Sequence, residues 1–247
     1  MSMKILISND DGIFAPGIAA LVRAFSAAGH EVFVCAPDSQ RSAASHSLSI
    51  ARPITVREET FPGAVRAYAI GGTPADCVKL GLKVLCPEAE AVVSGVNHGY
   101  NVGTDILYSG TVAAAMEGAI NGRIAMAVSQ AQGRTEFDRA SALAAKLFET
   151  LTARPLAPMS VLNVNYPARE EAKGVVTAVM EELIYDEVYT PSTADDGTRI
   201  YTLNGVIEEG IRQSDDYAKL EEGFATVTVL HYDMTDRDVT NGWNALI

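Results

Sequence analysis

Along the first two thirds of the chain, short apolar runs alternate with stretches of helical spacing. Segments 4–9, 31–36, 66–70, 91–94, 125–129 and 161–164 are rich in Val, Ile, Leu and Ala and end on turn residues, so they read as buried strands. Segments 16–28, 74–85, 111–121 and 136–151 place apolar residues three and four apart and read as helices. Strands alternating with helices predict an α/β protein, Rossmann-like and doubly wound, with a mostly parallel sheet. Two helix starts are explicit. Thr73-Pro74-Ala75-Asp76 offers an N-cap, a proline at the first helical position and an acid in the first turn. Ser109-Gly110-Thr111 precedes the second.

After Tyr166-Pro167 the pattern changes. Residues 1–167 form the expected α/β catalytic core, and 168–247 a β-rich extension. Segments 174–180 and 224–232 read as strands. The stretch between them holds two hairpin-turn dipeptides, Asp196-Gly197 and Asn204-Gly205, so 199–203 is expected to be a strand of an extended β-arm. An arm that cannot bury itself in its own core packs on the core and on a neighbouring subunit, which predicts a role in oligomerisation.

Composition narrows the class. With 247 residues, 48% hydrophobic and 20% charged, the chain can bury a substantial core. No apolar stretch approaches the roughly 20 residues of a membrane helix and no leader precedes the first strand, so a soluble cytoplasmic protein is expected. Cys35, Cys77 and Cys86 are odd in number and lack CxxC spacing, which points to buried thiols. A net charge of −12 argues against a nucleic-acid polymer as partner. Twelve acidic residues between Glu181 and Glu222 face only Arg199, Arg212 and Lys219, the pattern of a solvated surface segment.

The chemistry concentrates at strand ends. The first strand stops on Asn9-Asp10-Asp11-Gly12, and in open α/β sheets ligands sit beyond the carboxyl ends of the strands. Two adjacent carboxylates repel unless a cation or proton relieves them, so Asp10 and Asp11 are either a divalent-metal site or a helix cap. Polar clusters follow other strands. Asp38–Ser47 carries hydroxyls, amides and Arg41, and Gly71–Asp76 carries glycines at a helix start. Ser94–Gly103 offers backbone N–H groups and neutral carbonyl oxygens, suited to an oxyanion and a hard cation. Tyr108–Thr111 presents hydroxyls and amides at a helix N-terminus, where phosphate is favoured, although capping by Ser109 explains it as well.

Of the histidines, His30 and His231 read as structural, and only His46 and His98 stand in polar clusters. Scarce histidine beside paired acids favours an oxygen-ligated ion such as Mg²⁺ or Mn²⁺ over zinc. Absent GxxxxGK[ST], GxGxxG, GxSxG and HExxH motifs argue against P-loop hydrolysis, dinucleotide redox chemistry, serine esterase chemistry and zincin proteolysis. A hard ion beside anion-binding loops suits phosphoryl chemistry, removal of a terminal phosphate by water being simplest. Two other readings stay open: an aspartyl-phosphate intermediate on Asp10 or Asp11, and a nucleotide-binding regulator without turnover.

The clusters together resemble the SurE family of metal-dependent 5′-nucleotidases. The resemblance lies in Ile5–Gly12 with Ala15-Pro16-Gly17, Ala36-Pro37-Asp38 with Arg41-Ser42, Gly72–Val78, Val93–Asn97 with Gly99 and Asn101, and Tyr108–Gly118, with shorter matches at Leu162–Asn165 and Leu230–Asp233. It implies a nucleoside 5′-monophosphate phosphatase using one divalent cation per subunit, held by Asp10, Asp11, Ser42 and Asn97, with Asp10 and Asp11 catalytic. It places Asn9, Gly95, Asn101, Ser109, Gly110 and Thr111 against the substrate phosphate. It also implies a homodimer or homotetramer in which the 185–210 arm reaches a neighbour.

Overall fold

A computed structural model of the chain describes residues 2–183, 185–207, 215–237 and 240. Its centre is a nine-stranded sheet. In chain order the core elements are β1 (Lys4–Ser8), α1 (Pro16–Ala27), β2 (Glu31–Pro37), β3 (Val56–Glu59), β4 (Arg66–Ile70), α2 (Pro74–Leu80), β5 (Ala91–His98), α3 (Gly110–Ile120), β6 (Ile124–Gln130), α4 (Asp138–Ala153) and β7 (Ser160–Tyr166). The extension adds β8 (Val175–Thr177), β9 (Tyr185–Thr193), β10 (Arg199–Ile207), α5 (Asp215–Glu221) and β11 (Ala225–His231).

Across the sheet the order is β3-β4-β2-β1-β5-β6-β7-β11-β8. From β4 to β7 every neighbouring pair is parallel, as a chain of βαβ units requires. The edges depart from this: β3 runs antiparallel to β4, and β11 antiparallel to β7. The chain leaves β1 toward β2 and β4, then returns to place β5 on the other side of β1. The strand order therefore reverses between β1 and β5, and a crevice opens at their carboxyl ends.

Alternation along the strands feeds two cores. Ile5 and Ile7 of β1 join Leu21, Phe25 and Phe148 under α1 and α4, whereas Leu6 joins Phe33, Cys77, Val78 and Val92 on the α2 and α3 side. Burying three consecutive strand residues completely is worth roughly 2 kcal/mol each in apolar transfer, and it fixes where the strand must end. His30, as expected, is structural: it packs edge-on to Phe148 and accepts the Met3 N–H.

Four details differ from the sequence expectation. The helix from Pro74 widens into a π-helical turn at Gly81–Leu85, where Gly81 lies against Leu6 and Cys35 and a Cβ would meet Leu6 Cδ2 at 2.9 Å. Strand β3 escapes the pattern because it is an exposed edge of mixed polar residues. The seven-residue helix α5 is too short for a periodic signal. Asn204-Gly205 is not a turn: both residues lie within β10, opposite Val188 and Glu187, and the hairpin turns at Asp195–Gly197, where Gly197 has φ +84°. The 208–210 end of the expected arm, and Arg212, lie outside the described residues.

Candidate active site

The acid pair follows β1 directly, at the reversal of strand order. Asn9 turns the chain by donating its side-chain N–H to the Gly12 carbonyl (2.8 Å), and Gly12 takes φ +99° so that its backbone passes close to Ser39. The turn leaves Asp10 only 6% exposed. Its Oδ1 accepts the Thr111 hydroxyl at 2.5 Å, and the Thr111 backbone N–H also donates to its carboxylate. The positive end of α3 thus faces Asp10. Gly110 is required by the same approach, since a Cβ there would stand 2.9 Å from Asp10 Cβ.

Burial pushes the Asp10 carboxyl up to about 6, with the Asp11 charge adding to the rise and the Thr111 hydroxyl opposing it. Asp11 is also raised, again chiefly by burial, against a hydrogen bond from the His98 backbone N–H. That bond brings the end of β5 to the pair. On β5 the register shifts between Ser94 and Asn97, and Gly95 adopts φ +129° with its backbone against Val128. Asn97 donates its Nδ2 to the Gly99 carbonyl (2.8 Å), which leaves Oδ1 as its side-chain acceptor.

Ser42 arrives from the loop after β2, whose Arg41 N–H donates to the Asp10 carbonyl at 2.7 Å. The Ser42 side chain is exposed and accepts from Gln40 Nε2 at 2.9 Å. Ser109 caps α3 by accepting the Val112 N–H at 3.1 Å, so the capping reading holds for that residue. Thr111 donates its hydroxyl to Asp10, which leaves its part in a phosphate surround to the first turn of α3 that it belongs to.

Asn101 is buried and held by four hydrogen bonds. Its N–H donates to Asn165 Oδ1 (2.9 Å) and its Nδ2 to Ser129 Oγ (2.8 Å), while its carbonyl accepts from Asn163 and Asn165. Asn163, Asn165 and Ser129 therefore anchor this loop from beneath. Their signal was present in Leu162-Asn163-Val164-Asn165, where polar residues occupy every second position of a buried strand.

The donor set suits a hard cation. Two carboxylates with raised affinity for a proton stand together, the two loops bonded to Asp10 and Asp11 through the Arg41 and His98 N–H groups carry the neutral oxygens of Ser42 and Asn97, and Asn9 Oδ1 is buried without a hydrogen-bond partner. Among the described residues no three His, Cys, Asp or Glu side chains gather as a metal cluster, so a cation here would depend on such neutral oxygens. A large apolar cavity of about 870 Å³ runs along α3, β8 and β11 and reaches the site at Ser109 and at Ser45 and His46 of the loop that carries Ser42.

The family profile Survival protein SurE matches residues 5–187. The 5′-nucleotidase SurE of Synechococcus sp. (strain JA-3-3Ab) is 41% identical over 241 residues, covering 94% of this chain and 93% of that protein. That of Clostridium beijerinckii (strain ATCC 51743 / NCIMB 8052) is 40% identical over 241 residues, covering 95% of each. The crystal structure of the SurE protein from Aquifex aeolicus superposes with a TM-score of 0.84 at 33% identity, covering 98% of this chain and 99% of that one. On profile, sequence and structure alike, the chain belongs to the SurE family.

Proposed function

We propose that this site hydrolyses nucleoside 5′-monophosphates to nucleoside and phosphate, and that the chain is a 5′-nucleotidase like the relatives that carry that name. The observation that carries the reading is the pair of buried Asp10 and half-buried Asp11 at the switch point, with the N-terminus of α3 facing Asp10. Asp10, Asp11, Ser42 and Asn97 would hold one divalent cation, Mg²⁺ or Mn²⁺. Such an ion, when bound, neutralises phosphate charge and lowers the pKa of a coordinated water.

The chain's own residues do the rest. Asp10 and Asp11 supply the negative charge that binds the ion, and Thr111 and Gly110 hold Asp10 in place by hydrogen bonding and by close approach. Asn9 and the Gly95 backbone border the phosphate, with Asn101, Ser109, Gly110 and Thr111 completing its surround. The buried asparagines under Asn101 keep that loop from relaxing.

Residues 168–247 serve as an extension in which the β9–β10 arm packs on a neighbouring subunit of a homodimer or homotetramer. Exposed Val188, Tyr189, Ile200, Tyr201 and Leu203 along the arm support this. No helix among the described residues is long and apolar enough to cross a membrane. Three buried free thiols support a cytoplasmic location.

A phosphate-release screen over nucleoside 5′-monophosphates with Mg²⁺ or Mn²⁺ tests the function. Release that requires the ion is expected, and tight nucleotide binding with no release over hours would contradict it.

A further inference from the structure

Glu117 lies on α3 with its side chain 3% exposed, a burial that a carboxylate tolerates only when paired. Its partners divide between its oxygens. Oε1 accepts Lys79 Nζ at 2.6 Å and Asn121 Nδ2 at 2.8 Å, and Oε2 is paired with His46 Nε2 at 3.1 Å. Burial alone would raise the Glu117 carboxyl, but the His46, Lys79 and Asn121 bonds outweigh it and hold it below its ordinary value. Lys79 and Asn121 come from helices or their ends. His46 comes from the loop that carries Ser42.

Several other bonds tie that loop, but none of them reaches a buried charge on α3. Residues 41–43 are exposed, and Ala43 and Ser45 both take positive φ, at 54° and 52°, a conformation that surrounding contacts must impose on residues other than glycine. Arg41 is tied by its N–H to the Asp10 carbonyl, and Ser45 is tied to the carbonyls of Leu107 and Tyr108. Further on, Thr73 donates to the Ser47 carbonyl and the Ser49 N–H donates to Asp76. Only His46 runs from the loop to a buried charge on the helix whose first turn holds Asp10.

We propose that His46, through its hydrogen bond to Glu117, is the positioning residue that holds the 41–46 loop so that Ser42 presents its hydroxyl to the cation beside Asp10. The bond references the loop to α3, the element that also positions Asp10 through Gly110 and Thr111, so both sides of the ion share one frame. The role rests on the reading of Ser42 as a ligand and extends it to a residue outside the coordination sphere.

The experiment is calorimetric titration of Mn²⁺ into the full chain, joined to the rate of tryptic cleavage after Arg41 without metal. His46→Leu weakens Mn²⁺ binding about five-fold or more, about 1 kcal/mol, and speeds cleavage, while His46→Gln, which keeps an N–H donor, restores both. Ser42→Ala weakens binding to a similar extent, and the double variant Ser42→Ala with His46→Leu is no weaker than Ser42→Ala alone, because no hydroxyl remains to position. Lys79→Met removes a bond from the same carboxylate and lowers the melting temperature without moving Mn²⁺ affinity. If Ser42→Ala weakens binding and His46→Leu does not, the positioning role is overturned. If Ser42→Ala itself leaves binding unchanged, the ligand reading and the role built on it fall together. Equal loss of affinity in Lys79→Met and His46→Leu overturns the role as well, by showing that Glu117 acts only through the stability of α3.

Discussion

In β1, residues Ile5 to Ile7 are 0% exposed, and the strand ends on polar groups buried with it. In the β9–β10 hairpin, whose strands are longer, Val188 is 54% exposed, Tyr201 57% and Leu203 50%. One β-structure takes its register from two cores that grip alternate side chains. The other takes it from nine cross-strand pairs running from Tyr185–Ile207 to Thr193–Arg199. The hairpin is tied at its root, where the Tyr185 hydroxyl donates to Asp105 and Tyr185 packs with Val102, Leu183 and Leu220. The difference teaches where precision resides. The strand ends at the switch point are immobilised by packing and can hold two carboxylates in a costly arrangement, whereas the arm presents apolar surface that nothing among the described residues covers.

The largest expected effect is at Asp10. Asp10→Asn should lower phosphate release by about a thousand-fold or more, since it removes the buried charge that binds the ion. The same variant should make the metal-free protein more stable at pH 7.5. With the Asp10 carboxyl near 6 in the folded chain against an ordinary 3.8, the folded state binds the proton more tightly. Its contribution to stability is fully present below about pH 4 and is lost as pH rises through 6, a span worth at most about 3 kcal/mol. Chemical denaturation with chelator at pH 5 and pH 7.5 reads this directly, and a variant less stable than wild type at pH 7.5 would break the contrast between a strained site and a relaxed arm.

Gly110→Ala comes next. Its Cβ would press on Asp10, and displacing a catalytic group by a fraction of an ångström to an ångström costs about a hundred-fold in rate with little change in fold. Circular dichroism together with steady-state phosphate release separates the two. Thr111→Val should cost about ten-fold, because it removes one hydrogen bond to a charged group. It should also move the acid limb of the rate profile to higher pH, since the Thr111 hydroxyl lowers the Asp10 pKa and its loss leaves burial less opposed. An acid limb that shifts downward would contradict the assignment.

Much of this architecture was legible in the chain. The core strands and α1 to α4 announce themselves because burial on two faces demands apolar runs, and Thr73-Pro74-Ala75-Asp76 forms the capping box it spells, with Thr73 and Asp76 bonded reciprocally. What escaped has physical reasons. Strand β3 buries nothing, α5 is two turns long, and β5 continues to His98 through a glycine and polar residues that serve the site rather than the core. Asn204-Gly205 misled because cross-strand pairing with Val188 and Glu187 overrides the turn preference of the dipeptide. At the site, repulsion between adjacent Asp10 and Asp11 pointed to a cation or, as the rival reading, a helix cap. That the Thr111 hydroxyl belongs to Asp10, and that Glu117 is a buried anchor, depend on contacts 101 and 71 residues apart in sequence, which no local pattern reports.

The smallest effect on folding is expected in the arm. Replacing Tyr189, Tyr201 and Leu203 with Ser should change unfolding free energy by under about 0.5 kcal/mol per site, while light scattering shows a smaller assembly. A large loss of stability in a chain that stays monomeric throughout would place those side chains in a core and erase the difference between the two regions.

The central claim is that Asp10 and Asp11, with neutral oxygens from two loops, form one divalent-cation site per chain. Calorimetric titration of Mn²⁺ into the wild-type chain and into Asp10→Asn at pH 7.5 tests it most directly. One saturable site per chain that disappears in the variant is the predicted result, and binding of equal affinity in both would contradict it.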